Sequence, residues 1–256
     1  MSVVSEITHD QLRRLASKGM REDGRAFDQA RKLTVERGIL EMAEGSARVR
    51  LGETDVLVGV KIDVGTPFPD RPNEGILLTG AELRPIAHAD FEAGPPSEDA
   101  VELARVVDRG IRESGMLDLK LLVAAPGLKA YIVHVDVQPL DHFGNLFDAA
   151  NVGAVAALHC ATVPAKRFGL GDDFPMPIAE SPISTTFVKI GGHVMLDPTL
   201  KEEMVADARL TVTTDSKGDI RAMQKGLSGA YTFGDLKDCV QLARRKAAEV
   251  RAQVLA

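Results

Sequence analysis

The order of hydrophobic periodicities along the 256-residue chain predicts an α+β fold made of two similar halves. Three observations carry this. Strand-type alternation dominates residues 32–64 and returns between Ser184 and Gln224. Helix-type spacing follows each strand-rich stretch, in Ser97–Ser114 and Leu146–Ala161 and again from Thr232 onward. A segment rich in Gly, Pro and Asp, Gly169–Pro182, separates the two. The expected organisation is an N-terminal half at 1–168, a connecting segment at 169–182 and a C-terminal half at 183–256.

The elements follow in order. Thr8–Lys18 is predicted helical, with Thr8 as cap, Gln11 at the capping-box position and Gly19 as stop. Arg21–Arg25 is a charged turn. Leu33 and Val35, then Ala47, Val49 and Leu51, alternate with polar residues, and Val56–Ile62 is more continuously apolar. Gly38, Gly45 and Gly52 punctuate these runs, as an antiparallel meander requires. A proline-rich connection, Thr66–Gly75, leads to a strand at Ile76–Leu83. Ser97 caps a helix with acids at its start (Glu98, Asp99, Glu102) and arginines towards its end (Arg105, Arg109, Arg112), the order a helix dipole favours. Leu119–Ala125 and Lys129–Leu140 read as strands around Pro126-Gly127. The Ala-rich Leu146–Ala161 is a helix narrow enough to be buried by close packing. Ser184–Ile190, Val194–Leu196, Ala208–Thr214 and Asp219–Gln224 are strands. Thr232 and Asp235 cap a last helix, with Leu236, Val240, Ala243, Ala247, Val250 and Val254 on one face.

Composition removes several classes. The chain carries 31 Lys+Arg against 37 Asp+Glu, a net charge of −6, so a uniformly basic surface is excluded while a local basic patch is not. With no Trp, nine Phe and two Tyr, a broad aromatic platform for nucleic acid is not expected. Cys160 and Cys239 are too few for a disulfide framework and wrongly spaced for zinc. No apolar run reaches the roughly 18–20 residues that a bilayer requires. Met1–Asp10 is polar without a signal-peptide pattern, so a cytoplasmic location is expected. No cofactor or metal is implied.

Catalytic templates are missing. There is no Gly-x-Ser-x-Gly, His-Glu-x-x-His, P-loop or Gly-x-Gly-x-x-Gly, and His88, His134, His142, His159 and His193 are scattered as structural histidines are. Asp197, Glu202, Glu203 and Asp207 form a loose acidic cluster, fit either for acid–base or metal chemistry or for a solvated turn. Arg105, Arg109 and Arg112 fall within about 60° of helical arc and project from one side. Two readings stand: a solvated face with ion pairs Glu102–Arg105, Asp108–Arg112 and Arg109–Glu113, or a stripe that grips phosphates in fork geometry.

Glu22-Asp23-Gly24-Arg25, Gly45–Val49, Val58–Lys61, Pro67–Asp70, Glu102–Ser114, Gly144–Ala150 and Ala222–Gly226 together resemble the RNase PH-like proteins, over roughly residues 20–230. More narrowly, the chain is similar to the non-catalytic RNase PH-like branch of the archaeal exosome. The resemblance implies a duplicated α+β RNase PH-like fold. It also implies a six-membered ring, a trimer of heterodimers with a catalytic RNase PH-like subunit, joined by RNA-binding cap subunits. Single-stranded RNA would be shortened from its 3′ end with inorganic phosphate.

The resemblance also directs attention to Gly144-Asn145-Leu146. Active relatives carry Ser or Thr and then Arg after that glycine, and grip the attacking phosphate there; this chain offers Asn145 and Leu146. An aliphatic side chain cannot neutralise phosphate or brace developing phosphoryl charge, which is most of what such catalysis needs. No catalytic residue is therefore expected. By the same resemblance, Asp207 would be the remnant of a catalytic acid, and Arg105 and Arg109, with Arg112 on the same face, would bind RNA for the partner's active site. The rival expectations are an active phosphorolytic exoribonuclease using Asp207, and an unrelated small-molecule enzyme of α+β type.

Overall fold

The computed structural model describes residues 3–255. Met1, Ser2 and Ala256, the extreme ends of the predicted halves and of the polar Met1–Asp10 segment, lie outside the described residues. Helix α1 (Val3–Ser17) begins upstream of the expected Thr8 cap, so Thr8 sits inside it; the helix stops before Gly19, whose φ of +72° suits glycine. A cap-type residue is a local preference, and continuation of the helical ladder overrides it here.

Strands β1 (Leu33–Arg37), β2 (Gly45–Leu51) and β3 (Thr54–Gly65) form the predicted antiparallel meander. The meander ends there. Strand β4 (Ile76–Ala81) is followed by α2 (Glu98–Ser114), a short 3-10 turn at Leu119–Leu122, β5 (Val123–Ala125) and β6 (Lys129–Asp141). Because α2 intervenes as a crossover, β4 lies parallel to β6, and the sheet order is β1-β2-β3-β6-β4, with β5 also paired to β6. The strand predicted over Leu119–Ala125 survives only as β5. The Asp118 side chain accepts the Lys120 N–H and curls the chain, which turns Leu122 fully into the core.

Helix α3 (Leu146–His159) is followed by a small hairpin, β7 (Thr162–Val163) with β8 (Phe174–Pro175). The second sheet, all antiparallel in the order β10-β9-β11-β12, comprises β9 (Ile183–Ile190), β10 (His193–Leu196), β11 (Ala208–Thr214) and β12 (Ile220–Gly226). A short helix α4 (Leu200–Val205) precedes β11, and α5 (Phe233–Leu255) closes the chain. The predicted α5 cap is present, with Thr232 and Asp235 each accepting the other's backbone N–H.

Helix α3 packs between the first sheet and β9, and this explains its composition: small side chains let both sheets approach. At Gly153 even a methyl group would stand 2.6 Å from Val58 Cγ2, and at Gly45 one would meet the Ala157 carbonyl at 2.3 Å. The face of the second sheet towards α3 is polar yet buried. Ser184 bonds to Thr213 and Thr186 to Thr211, at 2.8 and 2.9 Å, and Asn151 accepts the Ser184 N–H. Helix α5 covers Phe187, Leu210 and Val212 with Cys239 and Ala243. Helix α1, first in sequence, packs Leu12 and Ala16 on Val188, Ile190 and Met195 of the second sheet.

Candidate nucleic-acid interface and the 144–146 loop

The buried side of α2 consists of Ala100, Leu103, Val106, Val107, Gly110 and Ile111, which leaves the arginines outside. Arg105 is exposed and, among the described residues, makes no hydrogen bond or ion pair. Arg109 is exposed and donates from Nη1 to Gln224 Oε1 at 3.2 Å. The two line a groove of about 430 Å³ with Pro96, Val101 and Gln224 and with two acids, Glu98 and Glu102. Arg112 behaves differently. Its Nε and Nη2 clasp the Asp108 carboxylate at 3.0 and 2.9 Å, Nη2 also reaches the Leu77 carbonyl, and the residue opens on a separate groove beside Phe68 and Arg71. The stripe read from helical spacing is thus divided. Of the three alternative ion pairs, only Asp108–Arg112 forms.

At the start of α3, Gly144 has a φ of +97°, and a methyl there would stand 2.4 Å from Leu200 N, so the loop lies directly against the entry to α4. Asn145 is fully buried in the left-handed region (φ 56°, ψ 48°), a conformation asparagine tolerates. Its Nδ2 donates to Asp148 Oδ2 and Asp197 Oδ1, both at 2.8 Å, and its Oδ1 caps the Asp148 N–H. The Asn145 N–H, an anion-binding group in many helix N-termini, is already taken by Glu203 Oε1 at 3.0 Å. Leu146 is 8% exposed and belongs to the main core.

Three arginines from residues 21–31 brace the turn around Asp197, and one of them, Arg31, also holds this loop. Arg31 spans Asp197 with two bonds and adds the Phe143, Gly144 and Pro198 carbonyls. Arg25 reaches Asp197, and the fully buried Arg21 pairs with Glu202 of α4. Burial opposes the charge on Asp197, but the Arg31 guanidinium holds its carboxyl below the usual range. Asp148 and Glu203 go the other way: burial pushes each up to about 7, against hydrogen bonds from Asn145 and Thr186 for Asp148 and from the Asn145 backbone for Glu203. Burial, with His88 and Arg31 nearby, lowers His142 to about 4, and its ring stacks on Phe91 at 5.4 Å.

Leu146, Phe147, Phe91 and His142 share a small cavity of about 160 Å³ with three carboxylates, Asp99, Glu102 and Glu203, and one cation, Arg209. That cation is committed: Arg209 Nη2 donates to Glu102 at 2.7 Å, and its guanidinium lies 4.3 Å from the centroid of the Phe147 ring. The acids outnumber the one cation here, and that cation is paired, so the cavity offers no free positive group to a phosphate. Among the described residues, no group of His, Cys, Asp and Glu converges as metal ligands would.

Asp207 is not brought to the loop. It pairs with Arg13 of α1, and its Oδ2 accepts the Gly191 N–H at 2.8 Å. The acid beside Leu146 is Glu203, from the cluster the sequence showed but not the member it favoured. Arg209 escaped the sequence reading, and Gln224 entered it only as part of a strand and of the Ala222–Gly226 motif, with no role at a site. Their only signal lies in register, which places Arg209 opposite Gly226 and Gln224 opposite Thr211.

Two sheets of this topology flanking a buried alanine-rich helix define the class. The chain belongs to the RNase PH (3′ exoribonuclease) family: domain 1 of that family matches residues 29–164 and domain 2 residues 180–246. The α+β fold and the family read from the motifs are both borne out. More particularly, it is 50% identical over 252 residues to the exosome complex component Rrp42 of Methanocella arvoryzae, spanning 98% of this chain and 97% of that protein. To the same component of Pyrococcus furiosus it is 47% identical over 261 residues, 99% of this chain and 94% of that one. A chain of the Archaeoglobus fulgidus exosome with RNA bound to the active site superposes with a TM-score of 0.96 at 42% identity, covering 98% of this chain and 99% of that one. A chain of an archaeal exosome core gives 0.92 at 39%, covering 99% and 98%.

Proposed function

We propose that this chain is a non-catalytic subunit of an archaeal exosome ring for phosphate-dependent 3′-to-5′ RNA degradation. It scaffolds a catalytic RNase PH-like partner in a trimer of heterodimers, beneath RNA-binding cap subunits. It lends that partner Arg105 and Arg109 as a grip on single-stranded RNA, with Arg112 in a lesser role. The observation that carries this is the environment of Leu146. A buried leucine among three carboxylates stands where phosphoryl transfer would need a cation, and the helix N–H at Asn145 is taken by Glu203. Near-full-length identity to exosome components supports the ring assignment.

In this reading Asp207 is at most the remnant of a catalytic acid, because its carboxylate is occupied by Arg13 and Gly191. The active-enzyme alternative would need that acid at a phosphate site. The division into halves at 1–168 and 183–256 joined by 169–182, and a cytoplasmic location, go with the proposal. No helix among the described residues is long and apolar enough to cross a membrane.

The test is to incubate the pure chain with single-stranded RNA and inorganic phosphate, alone and after assembly with its partner. No nucleoside diphosphate is expected from the chain alone, and release is expected from the ring. Release by the isolated chain at the ring's rate overturns the proposal.

A further inference from the structure

The groove that carries Arg105 and Arg109 is bounded by β12, and one residue of that strand holds an arginine. Gln224 Oε1 accepts the bond from Arg109 Nη1 at 3.2 Å. On its other side Gln224 Nε2 donates to Glu102 Oε1 at 3.4 Å, the same oxygen that accepts Arg209 Nη2 at 2.7 Å. Arg209 is fixed in turn over the Phe147 ring. Its room comes from Gly226, directly opposite in the β11–β12 register, where a methyl would stand 2.8 Å from Nη2. A continuous path thus runs from the interior at Phe147 through Arg209, Glu102 and Gln224 to the exposed Arg109.

The chemistry of the tether matters. Asp108 holds Arg112 with a carboxylate and so cancels its charge locally. Gln224 holds Arg109 with a neutral amide, which restricts the guanidinium but leaves its charge and most of its donors for a phosphate oxygen. Arg105, one turn earlier, has no tether among the described residues. Pre-ordering a long side chain lowers the conformational cost of binding without any new interaction.

We propose that Gln224 is a positioning residue for RNA: backed by Glu102 and Arg209, it sets Arg109 in the groove without neutralising it. This rests on the reading of α2 as an RNA surface. The experiment uses the ring assembled with its catalytic partner and a labelled single-stranded oligonucleotide in phosphate-free buffer, with anisotropy followed across a salt series. Gln224→Met keeps the size and removes the amide; affinity is expected to fall roughly three- to tenfold, as the loss of one hydrogen bond predicts. The slope of log affinity on log salt stays unchanged, because every cation is still in place. Arg109→Ala weakens binding and flattens that slope. The double variant is expected to bind no worse than Arg109→Ala alone, since Gln224 acts only through Arg109.

Unchanged affinity in Gln224→Met overturns the proposal while leaving the RNA surface intact. So does an equal loss in both backgrounds, which would mean that the residue merely supports β12. No effect of Arg109→Ala removes the RNA surface and this inference together.

Discussion

Arg31 grips Asp197 along both edges, Nη2 to Oδ1 at 2.7 Å and Nε to Oδ2 at 2.9 Å, and this pair fastens the chain's first loop to the turn before α4. Asp197 is 2% exposed, holds a positive φ of 50°, and also takes Arg25 and the Asn145 amide. Removing it leaves two guanidinium groups short of their acid in a largely buried place. Asp197→Ala is therefore expected to cost about 3–5 kcal/mol, the usual penalty for breaking one side of a buried pair. Chemical denaturation of the isolated chain measures this, and a loss under about 1 kcal/mol would mean that the arginines find other partners.

The pH response follows from the two acids on either side of Asn145. Asp148 and Glu203 titrate near 7 in the folded chain against reference values of 3.8 and 4.5. A carboxyl raised in the native state stabilises it fully below its unfolded pKa, and that contribution is lost as pH climbs through the folded value. These two acids should thus make stability decline between about pH 4 and pH 7, offset in part by His142, which burial holds near 4 and which therefore adds stability as pH rises from about 4 to 6.5. Asp197, held below its ordinary value, acts only in more acid solution, where its contribution is lost. Denaturation midpoints from pH 4.5 to 8 check this, and Asp148→Asn should flatten the profile. An Asp148→Asn profile that falls with pH as steeply as the wild type would contradict it.

The division of the α2 arginines separates their mutational effects. Arg105→Glu with Arg109→Glu should weaken RNA binding by the assembled ring and make it less salt-dependent. The slope should fall by about 0.7 for each phosphate of a single strand that is no longer neutralised. Arg112→Ala should instead cost stability with little change in RNA affinity, because its guanidinium is already spent on Asp108 and the Leu77 carbonyl. Equal losses of affinity from Arg109 and Arg112 would restore a continuous stripe of three.

What the sequence revealed depended on whether a feature was local. Periodicity and caps sufficed for α2, α3, α5 and the first three strands, since each depends on neighbours a few residues away. The parallel pairing of β4 with β6 was invisible, because it follows from where α2 carries the chain. The strands β9 and β11 were legible as strands, but not the pairing of their hydroxyls beneath α3, which depends on the register between them. At the site, the proposed loss of a loop cation was legible at Leu146 only through the family resemblance. The choice between Glu203 and Asp207 was not, because both lie in one acidic run and only tertiary packing turns the first towards Asn145 and the second towards Arg13.

Leu146→Arg tests whether the missing cation alone explains the proposed inactivity. The new guanidinium would enter a cavity of about 160 Å³ already lined by Asp99, Glu102 and Glu203. Those carboxylates are tethered partners, whereas phosphate must be drawn from solution, so the arginine should pair internally and leave no anion site. The variant is expected to bind no phosphate by titration calorimetry and to release no nucleoside diphosphate from RNA. Its stability should depend on Glu203: adding Glu203→Gln should destabilise it beyond the sum of the two single changes, by about 1–3 kcal/mol of coupling for neighbouring charges. Saturable phosphate binding by Leu146→Arg alone would show that the surrounding acids do not guard the position, and that the rest of the phosphate site is still in place.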